Sequence, residues 1–362
     1  MDHLRYQRQL QLPGFGKEGQ EKLAAAKVLV VGAGGLGVPV LQYLSAMGVG
    51  TLGIVDADTV SLSNLHRQVI YTSADVGMRK VERCAEKLHQ QNPDIFINTY
   101  PVFLSVDNAL DILRDYDVIV DATDNFNARY LINDACVMLN KPFVYGALQQ
   151  FEGHVSVFNY QEGPTYRCLY PSPPEQGQIP DCNTAGVLGI VPGIIGSYQA
   201  LEVIKILAGI GQPLSGLLQV FDFLYNSQYQ IKLTLKPENK KIRQLKAVDN
   251  ANCATVTSLS AEELLEWIKE GKSFQLIDVR ENREYKKSHL SSSYSFPLST
   301  INAKLPDLDH DQPWVLLCQQ GGRSLKAVQY LQERHPILSL INLQGGINAW
   351  MEVNGMQMIE QP

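Results

Sequence analysis

The sequence lacks the features that mark membrane and secreted proteins. It has no run of about 18 apolar residues, so we predict no transmembrane helix. The opening residues MDHLRYQRQL contain no apolar core and are not expected to act as a secretory signal. Six cysteines are scattered over 362 residues, which is typical of free thiols in a reducing compartment. We therefore expect a cytoplasmic protein with no membrane partner.

An excess of positive charge is also missing. Lys and Arg number 31 against 37 Asp and Glu, which gives a net charge of −6 and argues against a nucleic-acid partner. With 45% hydrophobic and 19% charged residues, the composition is that of an ordinary globular protein. The chain is longer than one hydrophobic core usually supports, so we expect two domains.

Apolar strands alternate with helical patterns through the first 147 residues, which predicts βαβ units and a mostly parallel sheet. Strand patterns at 151–158, 217–223 and 229–235 predict an antiparallel extension, and an apolar helix is expected at about 192–209. The Pro- and Gly-rich stretch 161–185 is typical of a long surface loop. A charged, polar stretch then precedes a second set of strands and helices. We predict a first α/β domain over residues 1–235, a linker over 236–256 and a smaller α/β domain over 257–362.

A glycine-rich turn follows the first strand, in the stretch Val28–Gly37. A buried strand that turns tightly into a helix N-terminus directs backbone N–H groups toward a phosphate. The glycines of this predicted turn are Gly32, Gly34, Gly35 and Gly37. The next strand ends at Asp56, 19 residues after Gly37 along the sequence. This is the spacing expected for a carboxylate that binds a ribose hydroxyl. Taken alone, this pattern also fits an NAD-dependent oxidoreductase.

Charged side chains follow the glycine turn and favour phosphate chemistry over hydride transfer. Arg67 offers a guanidinium suited to phosphate oxygens, and Lys80 supplies a second cation near the start of a helix. Asp124 follows the fourth strand, at the sheet edge where ligands bind, and is a candidate Mg²⁺ ligand. Such a site is suited to stabilising charge on a phosphorus atom under attack. Two alternatives without a functional role stay open. Arg67 and Lys80 would be solvated surface charges, and Asp121 or Asp124 would cap the following helix.

Five motifs in order make the resemblance specific. They are RYQRQ (5–9), GAGGLG (32–37), DADTVSLSNLHRQ (56–68), GMRKVE (77–82) and DATDN (121–125). Over about residues 3–235 the chain resembles the adenylating enzymes related to ubiquitin-activating enzymes, and most closely molybdopterin-synthase adenylyltransferase and its thiamine-pathway counterpart. The resemblance implies a Rossmann-like domain that binds ATP and Mg²⁺. It also implies a ubiquitin-like sulfur-carrier partner ending in Gly-Gly, whose carboxylate attacks the α-phosphate to form an acyl-adenylate.

The resemblance also assigns roles to residues of this chain. Asp56 would hold the ribose, Arg67 and Lys80 the phosphates, and Asp124 the Mg²⁺. The glycine turn, Asp58 and Asn64 would complete the nucleotide site. Arg8 would enter the site of a partner subunit, which implies a homodimer.

Two cysteine positions bear on the same resemblance. Members of this group usually carry two CxxC pairs that bind zinc, but here the first pair reads Thr165-Tyr-Arg-Cys168, and the region 234–250 holds no cysteine. Because tetrahedral zinc needs four ligands, we expect no structural zinc. Cys182 matches the cysteine of the crossover loop and is a candidate for a covalent bond to the carrier, although a non-covalent role stays equally open.

A second candidate site lies in LLCQQGGRS (316–324), at the end of an apolar strand. Backbone N–H groups after Cys318, together with Arg323, would favour its thiolate. The loop is one residue shorter than the Cys-x₅-Arg loop of phosphatases, which suits a persulfide sulfur. The CxxGxRS pattern resembles the active loop of rhodanese sulfurtransferases, and residues 274–290 and 343–350 resemble that family's flanking motifs. As the alternative, Cys318 is a buried cysteine without a role.

Together the two resemblances imply one reaction sequence. The first domain adenylates the carrier, and the second receives sulfur on Cys318 from a cysteine desulfurase and transfers it to give a thiocarboxylate. Three alternatives stay open at this point: an NAD-dependent oxidoreductase, a carrier-binding scaffold with an inactive adenylation site, and an adenylyltransferase with a purely regulatory C-terminal domain. The pathway served, whether molybdopterin, thiamine, cysteine or thiolated tRNA, is left open as well.

Overall fold

The structure is a computed structural model that describes residues 4–173, 186–246, 256–301, 309–335, 338–355 and 359–360. The chain divides into two compact units, residues 1–248 and 249–362. Each unit is an α/β fold with its own sheet and hydrophobic cores, so the predicted fold class is confirmed.

The sheet of the first unit combines parallel and antiparallel strands. Within the described ranges, the strands run in the order β3-β2-β1-β4-β5-β6-β7-β8, parallel from β3 to β5 and antiparallel from β5 to β8. Their bounds are β1 Lys27–Val31, β2 Thr51–Val55, β3 Phe96–Tyr100, β4 Val118–Asp121, β5 Phe143–Gln149, β6 Glu152–Phe158, β7 Leu217–Asp222 and β8 Ser227–Lys232. The antiparallel extension is therefore confirmed, with β8 ending three residues earlier than predicted.

Helices cover both faces of this sheet. Their bounds are α1 Gln7–Leu10, α2 Gly16–Ala25, α3 Gly37–Ala46, α4 Lys80–Gln91, α5 Ala109–Arg114, α6 Phe126–Leu139, α7 Tyr166–Leu169 and α8 Ile190–Ala208. Alternate residues of a strand point to opposite faces, so Val28 and Val30 of β1 enter one core with α3, α4 and α8, whereas Leu29 and Val31 enter the other with α5 and α6. This double burial explains why the strand sequences are almost continuously apolar.

Helix α8 is long and apolar enough to cross a membrane by length and composition. In this unit, however, half of it is buried, and it packs against α3, β5 and β6. The buried Gln199 donates to the carbonyls of Asp121 and Val144, and the buried carboxylate of Glu202 accepts from the backbone of Leu214. These contacts are those of a core helix, which passes the same length test.

The second unit has a five-stranded parallel sheet in the order β12-β10-β13-β14-β9 and a two-stranded antiparallel ribbon, β11 with β15, within the described residues. Its strands are β9 Thr257–Leu259, β10 Gln275–Asp278, β11 His289–Leu290, β12 Ser293–Ser295, β13 Trp314–Leu317, β14 Leu340–Leu343 and β15 Ile359–Glu360. Its helices are α9 Ala261–Lys269, α10 Asn282–Lys287, α11 Gly322–Arg334 and α12 Gly346–Asn354. As predicted, Ser260 caps α9 by accepting from Glu263 N, while the Glu263 carboxylate accepts from Ser260 N.

The start of the predicted linker is folded onto the first unit. Residues Pro237–Lys240 form a 3₁₀ turn, and the ammonium of Lys240 donates to Asn159 Oδ1 at 2.7 Å. Leu245 packs against the core that contains α5 and α6. This packing against the first unit could not be predicted from the sequence, because the segment is charged and lacks an apolar periodicity.

Candidate active sites

The first site lies at the carboxyl ends of β1, β2 and β4. Strand register sets Val31 beside both Val55 and Asp121. The backbone of Gly32 donates to Val55 O at 2.8 Å, and the backbone of Ala122 donates to Val31 O at 3.0 Å. The glycine turn, the segment after β2 and the segment after β4 therefore meet at one sheet edge, as predicted for a nucleotide site.

Two glycines of the turn are required by space. Gly32 has a φ of +105°, and a Cβ there would lie 2.6 Å from the carbonyl oxygen of Ala122. A Cβ on Gly37 would lie 1.8 Å from the carbonyl oxygen of Gly32. Gly34 and Gly35 have more room, since their nearest contacts would be the flexible end of Gln68 at 3.6 Å and Pro192 at 3.1 Å. The pattern of four glycines thus separates into two that shape the turn and two that leave its surface open.

Asp56 braces the glycine turn from β2. Its carboxylate accepts from the backbone N–H of Ala33 and of Asp58, each at 2.8 Å. Burial raises the pKa of Asp56, against the lowering effect of the Lys80 ammonium and of those two N–H groups. Each carboxylate oxygen keeps a second lone pair, so Asp56 can still accept from ribose hydroxyls while holding the turn.

Lys80 is a buried cation, with its side chain 5% exposed, and its ammonium lies 2.8 Å from the carboxylate of Asp58. It is the first residue of α4. Asp58 is 55% exposed and therefore holds the ammonium from the solvent side. The structure thus brings together Asp56, Asp58 and Lys80 as the sequence predicted.

Arg67 lies against the glycine turn, because a Cβ on Gly35 would lie 3.5 Å from its Cδ. Its guanidinium donates to the side-chain oxygen of Asn64 at 2.8 Å and to Ser63 O at 3.4 Å. The guanidinium also lies 3.3 Å from His66 Nε2. Neither oxygen belongs to a carboxylate, so these two oxygens do not compensate the positive charge of Arg67. Asn64, predicted to help complete the nucleotide site, orients Arg67 in this structure, and its contact with the nucleotide stays a prediction.

Asp124 is exposed in the turn between β4 and α6. Neither Asp124 nor Asp121 caps α6, because the side chain of Asn125 accepts from Ala128 N at 2.9 Å and fills that role. An exposed carboxylate beside a phosphate site is the donor type that Mg²⁺ prefers, with phosphate oxygens and water as its other ligands. Among the described residues no group of three or more His, Cys, Asp or Glu forms a metal cluster.

Sequence reasoning missed the residues that hold this site in place. The hydroxyl of Tyr71 donates to Ala33 O at 3.0 Å and is 3.3 Å from Lys80 O, so it joins the glycine turn to α4. Asp121 accepts from the backbone and hydroxyl of Thr123, the residue directly before Asp124. Tyr71 follows no local pattern, whereas an aspartate two residues before a threonine at a strand end is a recognisable turn signal.

Arg8 lies away from the glycine turn of its own chain. The neighbouring Gln9 of α1 donates to Met47 O at 3.1 Å, and Tyr6, directly before α1, accepts from Asn92. Met47 follows the C-terminus of α3, whereas the glycine turn lies at its N-terminus. The two ends of this ten-residue helix are about 15 Å apart.

Cys168 sits where the sequence suggested half of a lost zinc site. Its sulfur accepts from the backbone and hydroxyl of Thr165, each at 3.4 Å, from the backbone of Lys236 at 3.3 Å and from the side-chain amide of Asn239 at 3.5 Å. One thiol with a threonine, a lysine and an asparagine does not fit zinc, which requires further thiolate or imidazole ligands. Burial raises the pKa of the Cys168 thiol, but these hydrogen bonds outweigh it and leave the pKa below its usual value.

Cys182, the candidate for a covalent bond to the carrier, lies outside the described residues. The cysteines that are described, namely Cys84, Cys136, Cys168 and Cys318, are free thiols. Cys84 and Cys136 are buried in helices, and burial raises the pKa of Cys84 to about 12, so neither is a candidate nucleophile.

The second site lies between β13 and α11. Cys318 follows β13 directly, and Gly321 N donates to its sulfur at 3.1 Å. Gly321 has a φ of +87°, which lets the loop curl. The flanking segment 343–350 supports the loop, because Ile347 N donates to Cys318 O at 2.9 Å and Asn348 N donates to Gln319 O at 3.1 Å.

The environment of Cys318 favours the thiolate. Burial raises the pKa of its thiol, but the hydroxyl of Ser324 and the backbone N–H groups of Ser324, Gln320 and Arg323 outweigh burial and lower the pKa. The N-terminus of α11 adds a favourable dipole. Arg323 was predicted to favour the thiolate, and its backbone N–H does so. Its guanidinium bonds to both carboxylate oxygens of Glu284, at 2.7 and 2.8 Å. Asp278 and Arg280 form the predicted structural pair at 2.7 Å.

Comparison with known proteins agrees with this division. A family model described as the ThiF family matches residues 6–244, and one described as the rhodanese-like domain matches residues 260–353.

Several curated proteins are similar over most of the chain. A probable adenylyltransferase/sulfurtransferase MoeZ from Mycobacterium tuberculosis is 41% identical, over 96% of this chain and 92% of the relative. The adenylyltransferase and sulfurtransferase MOCS3-1 of Zea mays is 40% identical, over 96% of this chain and 81% of the relative. A sulfur carrier protein adenylyltransferase from Thermus thermophilus is 52% identical, over 64% of this chain and 88% of the relative.

Solved structures resemble the chain at the level of fold. Escherichia coli MccB aligns with a TM-score of 0.59 and 20% identity, over 68% of this chain and 74% of that chain. The same enzyme crystallised with ATP aligns with a TM-score of 0.55 and 23% identity, over 61% of this chain and 67% of that chain. At this identity the similarity shows the shared fold alone.

Proposed function

Because the chain belongs to the ThiF family and carries a rhodanese-like domain, we propose that it adenylates the C-terminal glycine of a ubiquitin-like sulfur-carrier protein and then supplies sulfur from a persulfide on Cys318. The relatives named as adenylyltransferase and sulfurtransferase support both halves of this activity. The observation that carries the proposal is the meeting of the glycine turn, Asp56 and two cations at one sheet edge. Family membership favours this reading over an NAD-dependent oxidoreductase.

In the first half-reaction the carrier carboxylate attacks the α-phosphorus of ATP. A bond forms between a carboxylate oxygen and phosphorus, and pyrophosphate leaves with the electron pair of the broken P–O bond. Asp56 accepts from the ribose hydroxyls, while Arg67 and Lys80 contact the triphosphate. Since a carboxylate is a weak nucleophile, the rate comes from positioning and from neutralised phosphate charge.

We place Mg²⁺ at Asp124, where its exposed carboxylate fits a cation that takes its remaining ligands from phosphate and water. The bound ion would neutralise charge on the triphosphate. Asp121 supports this role indirectly, because its hydrogen bonds to Thr123 fix the turn that carries Asp124.

In the second half-reaction a persulfide on Cys318 attacks the acyl carbon of the adenylate. AMP leaves, and an acyl disulfide joins the carrier to Cys318. A second thiolate, from Cys182 or another thiol, then attacks the sulfur of Cys318. The carrier leaves as a thiocarboxylate, and a disulfide forms between Cys318 and that thiol. We propose a cysteine desulfurase as the sulfur donor, and we place the reaction in the cytoplasm, in keeping with the free thiols.

We propose that the active form is a homodimer, in which Arg8 enters the site of the other subunit. The position of Arg8, a helix length from its own glycine turn, supports this arrangement, because an arginine side chain does not span that distance. A mixing experiment tests it. Arg8→Ala and Lys80→Met should each be inactive alone, whereas an equal mixture after subunit exchange should regain about a quarter of wild-type activity, because half the dimers contain one intact site. A mixture that stays inactive despite confirmed exchange would contradict the shared site.

The function is tested by mixing the protein with ATP, Mg²⁺ and candidate Gly-Gly carriers from the molybdopterin, thiamine, cysteine and tRNA-thiolation pathways. Intact-mass spectrometry should show an AMP adduct on one carrier, which identifies the pathway. Carrier-dependent exchange of pyrophosphate into ATP should accompany it and be lost in Asp124→Ala. Carrier binding without exchange would instead support the inactive scaffold.

A further inference from the structure

Two guanidinium groups lie beside the Cys318 loop, and carboxylates neutralise both. Arg280 donates to Asp278 at 2.7 Å, to Gln319 Oε1 at 3.0 Å and to Ser288 O at 2.7 Å. Both residues of its ion pair are buried. Arg280 therefore serves as an internal brace of the loop and offers no charge to a ligand.

The second guanidinium, that of Arg323, is closer to solvent. It pairs with Glu284 through two parallel hydrogen bonds, and both side chains are 34% exposed. Two parallel bonds fix the plane of the guanidinium as well as its position. Arg323 is the second residue of α11, five residues after Cys318, and it is more exposed than the buried Arg280, so it is the more accessible of these two cations to an incoming sulfur donor.

The carboxylate of Glu284 stays charged throughout the neutral range. The hydrogen bonds from Arg323 lower the pKa of Glu284 to about 2, against a smaller opposing effect of burial. The Cys318 thiolate adds one negative charge beside the two ion pairs Arg280–Asp278 and Arg323–Glu284, whose own charges cancel. These two ion pairs thus leave no net charge of their own to offset that of the thiolate.

We infer that Glu284 is a specificity-determining residue that keeps the Cys318 loop from using small dianionic sulfur donors such as thiosulfate, and selects a persulfide borne on a thiol. The inference rests on the proposed persulfide role of Cys318. The protonated form R–S–SH, whose outer sulfur the thiolate attacks, carries no charge and is not repelled by the Cys318 thiolate. A dianion is repelled, and neither neighbouring guanidinium has free charge to offset that repulsion.

Both reactions balance without another reagent. With the favoured donor, the Cys318 thiolate attacks the outer sulfur of R–S–SH, the old S–S bond breaks, and RS⁻ leaves while Cys318 becomes a persulfide. With thiosulfate, the same attack releases sulfite. The chemistry of Cys318 is the same in both cases, so the difference in rate reports the charge around the loop.

The experiment measures persulfide formation on Cys318 by intact mass in the full-length protein. The probes are thiosulfate, a dianion; methanethiosulfonate, a monoanion; and N-acetylcysteamine persulfide, whose only ionisable group is its terminal sulfur. The test variant is Glu284→Gln. Glutamine retains an acceptor for the backbone N–H of Glu281, which Glu284 now accepts at 3.2 Å at the start of α10.

In Glu284→Gln we expect the second-order rate with thiosulfate to rise roughly tenfold, that with methanethiosulfonate about threefold, and that with the persulfide less than about twofold. High salt should shrink these differences. The matched control is Glu281→Gln, because Glu281 opens the same helix but bonds to Ser299. It should leave all three rates unchanged.

The double variant Glu284→Gln/Arg323→Gln separates charge from structure. If the freed Arg323 causes the gain, the double variant loses it. Equal changes with all three donors in Glu284→Gln would show a merely structural role and overturn the inference, as would wild-type protein that already uses thiosulfate as fast as the persulfide. Absence of any Cys318 persulfide with every donor would instead overturn the proposed function.

Discussion

The two candidate sites share a local plan and differ in how they hold their cations. In each, a buried parallel strand ends in a glycine-containing turn that opens a helix, β1 into α3 and β13 into α11. At the first site, Lys80 bonds to the exposed carboxylate of Asp58, and Arg67 bonds to the neutral oxygens of Asn64 and Ser63. At the second, Arg280 donates three hydrogen bonds to the carboxylate of Asp278, and Arg323 donates two to that of Glu284.

This difference matches the charge of the ligand at each site, a triphosphate at the first and a sulfur atom at the second. A triphosphate can compete for Lys80 because the single carboxylate that holds it, that of Asp58, is 55% exposed and can turn to solvent. A single sulfur atom needs no cation, because backbone N–H groups, one hydroxyl and a helix N-terminus already stabilise it. The first turn is therefore suited to a polyanion and the second to a thiolate or persulfide.

The largest test of this separation is Cys318→Ser. We expect persulfide formation to fall by more than about a thousandfold, since the nucleophile is lost. Carrier-dependent pyrophosphate exchange should stay within about twofold of wild type, because no residue of the first site changes. Sulfur transfer to the carrier that survives in this variant would support the purely regulatory role of the second domain.

Lys80→Met removes a buried cation from the first site. Adenylation of the carrier should fall on the order of a hundredfold, because Met fills the space without neutralising phosphate charge. Persulfide formation should be unchanged. Lys22→Met, at an exposed lysine paired with Glu18, is the matched control and should leave both rates as they are.

A pair of alanine variants sharpens the reading of the first turn. Gly37→Ala brings a Cβ to 1.8 Å from a backbone oxygen, so we expect a loss of about 2–3 kcal/mol in stability. Gly34→Ala meets only a flexible side chain at 3.6 Å and should cost less than about 0.5 kcal/mol. Thermal unfolding measures both. Equal costs would show that the spatial distinction between the two glycines is wrong.

The sulfur environment of the second turn is tested by pH. Since the pKa of Cys318 is lowered, its thiolate fraction reaches one half at a lower pH than that of an ordinary cysteine. Ser324→Ala removes a hydroxyl that stabilises the thiolate, so the rate of persulfide formation plotted against pH should shift upward by up to about one unit. An unshifted profile would remove Ser324 from this role.

The smallest effect is expected at Cys168, which belongs to neither site. Cys168→Ala removes the acceptor shared by Thr165, Lys236 and Asn239, and should cost about 1–2 kcal/mol. A chelator should not change the melting temperature of the wild-type protein. Stoichiometric zinc in the purified protein, or a melting temperature lowered by the chelator, would contradict the metal-free reading.

The sequence predicts well what is encoded within a few neighbouring residues. The glycine turn, Asp56 at a strand end and the Cys318 loop follow local patterns, and the structure places them as expected. It predicts poorly what arises when distant segments meet. Glu284 reaches Arg323 across 39 residues, and Asn239 reaches Cys168 across 71. Neither contact leaves a periodic signal, although the capping box that begins α10 does mark Glu284.

The bonds that hold Lys236 and Asn239 to Cys168 have a practical consequence for dissecting this protein. A fragment cut after Leu235, where apolar alternation stops, would expose the Cys168 sulfur and remove the partners that shield it. A fragment that runs through Lys246 retains them, together with the side chain of Leu245. Expression of the nucleotide-binding half in isolation should therefore succeed with the longer boundary and yield an aggregation-prone product with the shorter one.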